Sequence, residues 1–345
     1  MGVRQTDYIT IQSMATTKAT DVAATVAQIL QLERAGCDII RVAVPDMESA
    51  DAIGKIKEQI SIPLVACIHF DYKLALRAVE AGADKIRINP GNIGGEDKVK
   101  VVAEACSRKN IPIRIGVNSG SLDKGILKKH GGVTAQAMVE STIEHVRLLN
   151  KYDFDNIWLS AKASSVPLTV ETYRLLHEQT KYPLHLGITE AGTEYNGIIK
   201  SSIGIGALLL DGIGNTIRVS LTAEPIEEIK AAKAILRALN LRSGIDIISC
   251  PTCGRCNIDI ISIAKDIEAR LETCQGDGSF DRFHGNLTIA VMGCAVNGPG
   301  EARQADFGIS GGDGEGLIFA KGEIIKKVSM EKLVDELLLE VQNVR

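Results

Sequence analysis

From Ile9 onward, short runs of β-branched residues alternate with longer stretches in which Ala, Leu and Ile recur every three to four positions among Glu, Lys and Gln. The short runs have the length and composition of buried strands, and the longer stretches have the period of helices with one apolar face. Strand-then-helix repetition predicts a parallel sheet whose crossovers are helices. Eight strands are expected, over 9–14, 38–44, 64–70, 85–89, 113–118, 157–162, 184–190 and 217–221. That number fits a closed (β/α)8 TIM barrel, whose usual size of about 250 residues matches the span. A doubly wound open sheet is the alternative, but it favours a glycine-rich phosphate loop after its first strand, and none follows Met14.

The rhythm breaks after a helix expected over 225–241. Arg242-Ser243-Gly244 interrupts it, and a new apolar run from Ile245 leads straight into Cys250. A helix over 258–272, a strand over 287–292, a hairpin-like region near 308–325 and a last helix over 330–344 make a smaller α+β module. The expected domains are therefore 1–241, a substrate-binding barrel, and 242–345, a metal-cluster domain.

Alternation along a strand places every second side chain on one face. Lys85, Arg87 and Asn89 share a face, as do Arg114 and Asn118, Ser160 and Lys162, and Arg218 and Ser220. With Arg41, cations stand on five strands, and in such barrels the C-terminal strand ends carry the chemistry. A single strand arginine reads most simply as a surface or ion-pair residue; cations converging from five strands call for an anionic ligand. Guanidinium forks suit phosphate, so a diphosphate is expected. His69 and Glu190 end two of the strands. Alone, His69 reads as a satisfied core residue, and Glu190 reads equally well as a solvated carboxylate or as a general acid. Cys37, Cys67 and Cys106 lie in apolar or helical contexts and read as packing residues.

Composition narrows the function classes. The 345 residues are 45% hydrophobic and only 4% aromatic, with a formal net charge of −4. No global basic field or stacking platform favours nucleic acid as a partner. No apolar run is long enough to span a membrane and the first residues carry no secretory signal, so a cytoplasmic location is expected. Five of the eight cysteines fall between Cys250 and Cys294, which in a reducing compartment reads as metal or redox chemistry. Cys250, Cys253 and Cys256 form a C-x2-C-x2-C run compatible with either zinc or an iron–sulfur cluster. The isolated Cys274 and Cys294, and the stretch Met-Gly-Cys294-Ala-Val-Asn-Gly-Pro-Gly-Glu301, are unlike the paired cysteines of a zinc ribbon. They favour a cluster with one unusual ligand.

At these residues the chain resembles the 4-hydroxy-3-methylbut-2-enyl diphosphate synthase (IspG or GcpE) family of the non-mevalonate isoprenoid pathway. The resemblance is carried by Ile11-Gln-Ser-Met14, Ile68-His-Phe-Asp71, Arg87-Ile-Asn-Pro-Gly-Asn-Ile-Gly94, Arg114-Ile-Gly-Val-Asn118, Ser160-Ala-Lys-Ala163, Gly187-Ile-Thr-Glu-Ala-Gly192, Ile217-Arg-Val-Ser-Leu-Thr222, Ser249-Cys-Pro-Thr-Cys253 and the Cys294 stretch. It implies a barrel joined to a [4Fe-4S] domain, with Cys250, Cys253, Cys294 and Glu301 as ligands. It also implies reductive opening of 2-C-methyl-D-erythritol 2,4-cyclodiphosphate, with electrons from flavodoxin or ferredoxin, in a homodimer whose cluster domain caps the partner's barrel. In that reading Arg41, His69, Arg87, Asn89, Arg114, Asn118, Lys162, Arg218 and Ser220 bind substrate, and Glu190 donates a proton. Cys256 and Cys274 fall outside the ligand set. The absence of an inserted domain or transit peptide points to the bacterial short form. The competing readings are a zinc-stapled phosphate- or pterin-binding barrel without redox activity, and a dihydropteroate-synthase-like transferase.

Overall fold

The computed structural model describes residues 8–89, 92–256, 258–274, 287–294, 302–312 and 314–343. The chain divides between Leu239 and Asn240 into two units.

In the first unit the strands are β1 (Thr10–Met14), β2 (Ile39–Ala43), β3 (Leu64–Cys67), β4 (Lys85–Ile88), β5 (Ile113–Asn118), β6 (Ile157–Lys162), β7 (His185–Leu186) and β8 (Thr216–Ile217). Their order is β6-β5-β4-β3-β2-β1-β8-β7, and every pair is parallel. A bridge from Leu159 to Leu184 joins the two ends of that row, so the expected eight-stranded barrel is nearly closed. Around it lie α1 (Val22–Arg34), α2 (Met47–Lys57), α3 (Tyr72–Glu80), α4 (Glu96–Arg108), α5 (Lys124–His130), α6 (Ala135–Asn150), α7 (Val166–Gln179), α8 (Glu194–Leu210) and α9 (Pro225–Ala238). Asp21, Asp46, Asp71, Thr134 and Ser165 each cap a helix by accepting a first-turn N–H.

The two faces of the strands differ in chemistry. Outward residues such as Ile11, Ile40, Ile86, Ile115 and Leu159 are fully buried beneath the helices. The inward face holds the buried polar side chains Gln12, Arg87, Arg114, Ser160, Lys162 and His185. A strand buried on both faces is ordinarily apolar on both; here the inner layer is charged.

Three strands are shorter than their apolar runs. β7 stops at Leu186 because Gly187 takes φ +153°, and a Cβ there would lie 2.5 Å from the Arg218 carbonyl oxygen and 2.6 Å from Lys162 Nζ. Side chains replace the lost ladder. The Tyr173 hydroxyl donates to the His185 carbonyl at 2.5 Å and accepts from the Ala161 N–H at 3.2 Å, fastening β6 to β7. Lys162 Nζ donates to the Leu186 carbonyl at 3.3 Å. Beyond the short β8, the Thr222 N–H reaches the Gly192 carbonyl at 3.0 Å. β3 likewise ends at Cys67, which leaves His69 in a bend rather than in a strand.

The second unit contains β9 (Ile245–Ser249), β10 (Leu287–Met292), β11 (Phe307–Gly311), β12 (Glu315–Ala320) and β13 (Glu323–Ser329), ordered β13-β12-β11-β10-β9. The first three run parallel and the last three antiparallel. Two helices, α10 (Ile260–Cys274) and α11 (Leu333–Asn343), supply Ile267, Leu271, Leu337 and Val341 to a core shared with Ile289 and Ile309 of the sheet. This is the smaller α+β module expected, except that its last helix opens with a 3-10 turn, Met330–Lys332. Among the described residues no helix is long and apolar enough to cross a membrane.

Candidate functional site

On the inner face of the barrel, Arg41 stands mid-way along β2, Arg87 near the end of β4, Arg114 at the second position of β5 and Lys162 at the end of β6, with Arg218 just past β8. Strand register sets Cys67 opposite Arg87 and Arg87 opposite Arg114, so these three stand abreast. Two glycines make room for the cations. A Cβ on Gly116 would lie 2.5 Å from Arg87 Nε, and Gly187 admits Lys162 in the same way. Arg87 Nη2 donates to the Gly116 carbonyl at 3.3 Å, and Arg41 donates to Met14 Sδ at 2.9 and 3.2 Å. Arg218 Nε lies 3.7 Å from Glu228 Oε2, and that buried carboxylate also accepts from Ser13 Oγ and the Leu221 N–H.

The electrostatics follow from this crowding. Burial, with repulsion from Arg218 and Arg87, lowers the Arg41 guanidinium to about 10. Arg114 and Lys162 are pushed well below their ordinary values by burial first and then by their cationic neighbours. Lys85, stacked 3.6 Å from the Trp158 ring centre, is lowered to about 8 by burial and by Arg114. His185 is held well below its usual range by burial and then by Arg114. Among the described residues, the buried Nε atoms of Arg114 and Arg218 have no hydrogen-bond partner. Cations that repel one another, two of them with an unpartnered buried Nε, are complementary to a polyanion; each charge-assisted bond formed would contribute about 1.5–3 kcal/mol.

The remaining sequence candidates are spread around this cluster. Asn89 is buried just past β4, Asn118 ends β5, and Ser220 follows Arg218 by two residues beyond β8. His69 is exposed, with Nε2 4.0 Å from Cys67 Sγ. Glu190 is exposed and adopts φ +51°, close to Gly192 at φ +118°. A left-handed glutamate is uncommon, and such residues are enriched in functional turns. Two participants were missed. Cys67, read as packing, belongs to the charged inner face; its register opposite Arg87 shows this, and nothing in its local sequence did. Glu228 sits on α9, where no strand pattern could reveal it. A separate cleft lined by Asn150, Asp155 and Tyr182 lies at the N-terminal ends of β6 and β7, away from these cations.

In the second unit, Cys250 follows β9 and Cys294 follows β10, adjacent parallel strands that end at one sheet edge. The Gly293 N–H donates to Cys250 Sγ at 3.2 Å. Cys253 is exposed in the turn, where the Arg255 N–H and side chain lower its thiol. Cys256 donates to the Ile258 carbonyl at 3.2 Å, and a Cβ on Gly293 would lie 2.4 Å from its sulfur. Glu301 lies outside the described residues, as does the Cys274 side chain. Among the described residues no three His, Cys, Asp or Glu side chains are close enough as placed to hold a metal ion. Three soft donors at one edge, one already receiving a backbone N–H, nevertheless fit a thiolate-held cluster in kind.

Fold and side chains together define a two-part protein, a (β/α)8 barrel with a cationic mouth followed by an α+β module with thiols at a sheet edge. The chain belongs to the GcpE family: residues 1–233 match the GcpE TIM-barrel domain and residues 246–343 the GcpE protein C-terminal domain. It is 58% identical over 337 residues to the 4-hydroxy-3-methylbut-2-en-1-yl diphosphate synthase (flavodoxin) of Clostridium tetani, covering 97% of this chain and 94% of that one. The protein of the same name from Bacillus pumilus is 55% identical, with 97% and 89% covered. Among solved structures, dihydropteroate synthase from Xanthomonas albilineans aligns with a TM-score of 0.45 and 15% identity over 66% of this chain and 93% of that chain.

Proposed function

We infer that this chain makes 4-hydroxy-3-methylbut-2-en-1-yl diphosphate by reductive ring opening and dehydration of 2-C-methyl-D-erythritol 2,4-cyclodiphosphate, an oxidoreductase step of the non-mevalonate isoprenoid pathway. The observation that carries this reading is the convergence of buried, mutually repelling cations on one barrel mouth in a member of the GcpE family. Two electrons and two protons enter and one water leaves, so the site must hold a dianionic diphosphate, protonate a departing hydroxyl and receive electrons.

The chain's own residues divide these tasks. Arg41, Arg87, Arg114, Lys162 and Arg218 bind the phosphate oxygens, assisted by the amides of Asn89 and Asn118, by Ser220 and by His69. Because the donors are fixed before the ligand arrives, they stabilise the charge that develops on phosphate as the ring bond breaks without reorganising. Glu190, held in a constrained turn between Gly187 and Gly192, supplies the proton to the departing hydroxyl.

Residues 1–241 form the substrate domain in this reading and residues 242–345 the cluster domain. Cys250, Cys253, Cys294 and Glu301 would hold a [4Fe-4S] cluster, and a carboxylate in place of a fourth thiolate leaves an exchangeable position. The cluster, when bound, supplies single electrons and a Lewis-acidic iron. Flavodoxin is the electron donor that the relatives' names support, with ferredoxin as the alternative. We place the protein in the cytoplasm, where clustered thiols stay reduced. We take it to be a homodimer, whose cluster domain caps the partner's barrel; α8 leaves Tyr195, Ile199 and Ile203 exposed at successive i+4 positions, an apolar strip suited to subunit contact.

An anaerobic assay tests the function. Iron-loaded protein, dithionite with a viologen mediator and the cyclodiphosphate should yield the linear allylic diphosphate by mass spectrometry. Unconsumed substrate with fully loaded protein would overturn the assignment.

A further inference from the structure

A thiol stands among the cations of the barrel mouth. Cys67 ends β3 and is 1% exposed. Arg87 Nη1 lies 3.8 Å from its sulfur and His69 Nε2 lies 4.0 Å away. The charged groups that face it are Arg41 from β2, His69 from the bend after β3, Arg87 from β4 and Arg114 from β5, with Arg218 and Glu228 coupled to it through Arg41. Arg114 is 2% exposed, interacts electrostatically with Cys67, and keeps its Nε without a hydrogen-bond partner. That orphaned donor is independent of the thiol and indicates that an acceptor is meant to enter this space.

Resting on the reading of the mouth as a diphosphate site, we propose that Cys67 is the resident counter-anion of the empty pocket: a thiolate that balances Arg41 and Arg87 until the substrate's phosphates replace it, whereupon it takes up one proton from solvent. The exchange is physically reasonable because sulfur at 3.8 Å is a weak, diffuse acceptor, whereas a phosphate oxygen accepts guanidinium N–H groups at closer range and in bidentate geometry. Once phosphate oxygens occupy the guanidinium groups, the thiolate is left buried beside a second anion, and protonation removes the repulsion.

The contrast with the other barrel cysteines supports this. Burial pushes Cys37 up to about 11 and Cys106 up to about 12. Burial also raises Cys67, but Arg41 above all, then His69 and Arg87, outweigh it and bring the thiol down to about 6. Cys67 is thus ionised at neutral pH only while its cationic neighbours are unoccupied. Proton uptake on binding means that affinity falls as pH rises above about 6, by up to tenfold per pH unit, until the thiol of the complex itself ionises.

Isothermal titration calorimetry of the full-length, iron-loaded protein without reductant tests the proposal. The probe is the cyclodiphosphate itself, whose diester-type phosphates are already ionised, titrated at pH 7 in two buffers of different ionisation enthalpy. Lys85 and Lys162 are also depressed by burial, and any proton they exchange on anion binding is common to both proteins, so the readout is the difference between native protein and Cys67→Ser, which keeps the shape but cannot ionise. Native protein should take up about one proton more than the variant, and its dissociation constant should rise between pH 6 and 8 where that of Cys67→Ser stays flatter. Cys67→Ala should behave like Cys67→Ser, which guards against an effect of the serine hydroxyl. Binding with equal proton uptake and parallel pH profiles would overturn the role of Cys67 while leaving the diphosphate site intact. No binding by the native protein would overturn the diphosphate site and this proposal with it.

Discussion

The barrel mouth and the thiol-bearing edge of the second sheet both present reactive groups at the C-terminal ends of parallel strands, yet they hold them in opposite ways. At the mouth, Arg87, Arg114 and Lys162 are buried, seated against Gly116 and Gly187 and fixed by contacts between strands. At the edge, Cys253 is exposed, Cys250 and Cys294 are half-buried, and Cys250 Sγ accepts the Gly293 N–H. The first region carries its geometry and its unfavourable charge before any ligand is present. In the second, the metal is expected to set the geometry, because thiolates gain their strongest partner only on ligation. A site that must stabilise a fixed anion gains from preorganisation, whereas a site that must assemble a cluster gains from access.

The largest expected effect falls on the edge. If Cys294 is one of the proposed ligands, Cys294→Ser should abolish cluster retention and reduce turnover by more than about a thousandfold while far-UV circular dichroism stays unchanged, because a cluster site that lacks one thiolate would lose its metal. Iron analysis and activity on the same sample check this; an iron-loaded, active variant would remove Cys294 from the ligand set. At the mouth the direction is mixed. Arg114→Met should weaken cyclodiphosphate binding by about 10- to 100-fold and also raise the melting temperature of the ligand-free protein by a few degrees, since it deletes a buried, repelled charge. Calorimetry and thermal unfolding measure both signs, and a variant that loses stability would contradict the idea of stored repulsion.

Gly187→Ala tests how the mouth is shaped. An added methyl 2.5 Å from the Arg218 carbonyl and 2.6 Å from Lys162 Nζ should destabilise the protein by about 1–3 kcal/mol and weaken substrate binding with it. Tyr173→Phe should be milder and confined to stability. It leaves the Ala161 N–H and the His185 carbonyl without their shared hydroxyl, a loss of about 1–2 kcal/mol in denaturant unfolding, with the substrate dissociation constant within about twofold of native. A large affinity loss in Tyr173→Phe would mean that closure between β6 and β7 shapes the anion site.

The same contrast explains what was legible in the sequence. Buried parallel strands are continuous apolar runs bounded by capped helices, so the eight units and the restart at Ile245 could be read directly. The ends of β7 and β8 could not, because the apolar run continues past Leu186 and the space at Gly187 is taken by Lys162 of β6 and the Arg218 carbonyl beyond β8. Alternation was enough to group Arg87 with Asn89 and Arg114 with Asn118. It could not separate Cys67 from Cys37 and Cys106, because local context is apolar at all three and only the register beside Arg87 distinguishes one of them. Glu228 acts across the barrel wall from a helix, a relation that strand patterns do not encode. At the edge, the crowding of cysteines from Cys250 to Cys294 pointed to metal chemistry, while the ligand set of Cys250, Cys253, Cys294 and Glu301 is what the family resemblance implies, and Glu301 stands outside the described residues.

The most direct measurement of the central claim is iron, acid-labile sulfide and zinc per chain in protein purified without oxygen. About four iron and four sulfide per chain, the stoichiometry of a [4Fe-4S] cluster, is the result expected if a thiol edge serves a preorganised diphosphate mouth in one reductive enzyme. Zinc without sulfide, reproduced after anaerobic reconstitution, would contradict it and leave an anion-binding barrel with a structural tail.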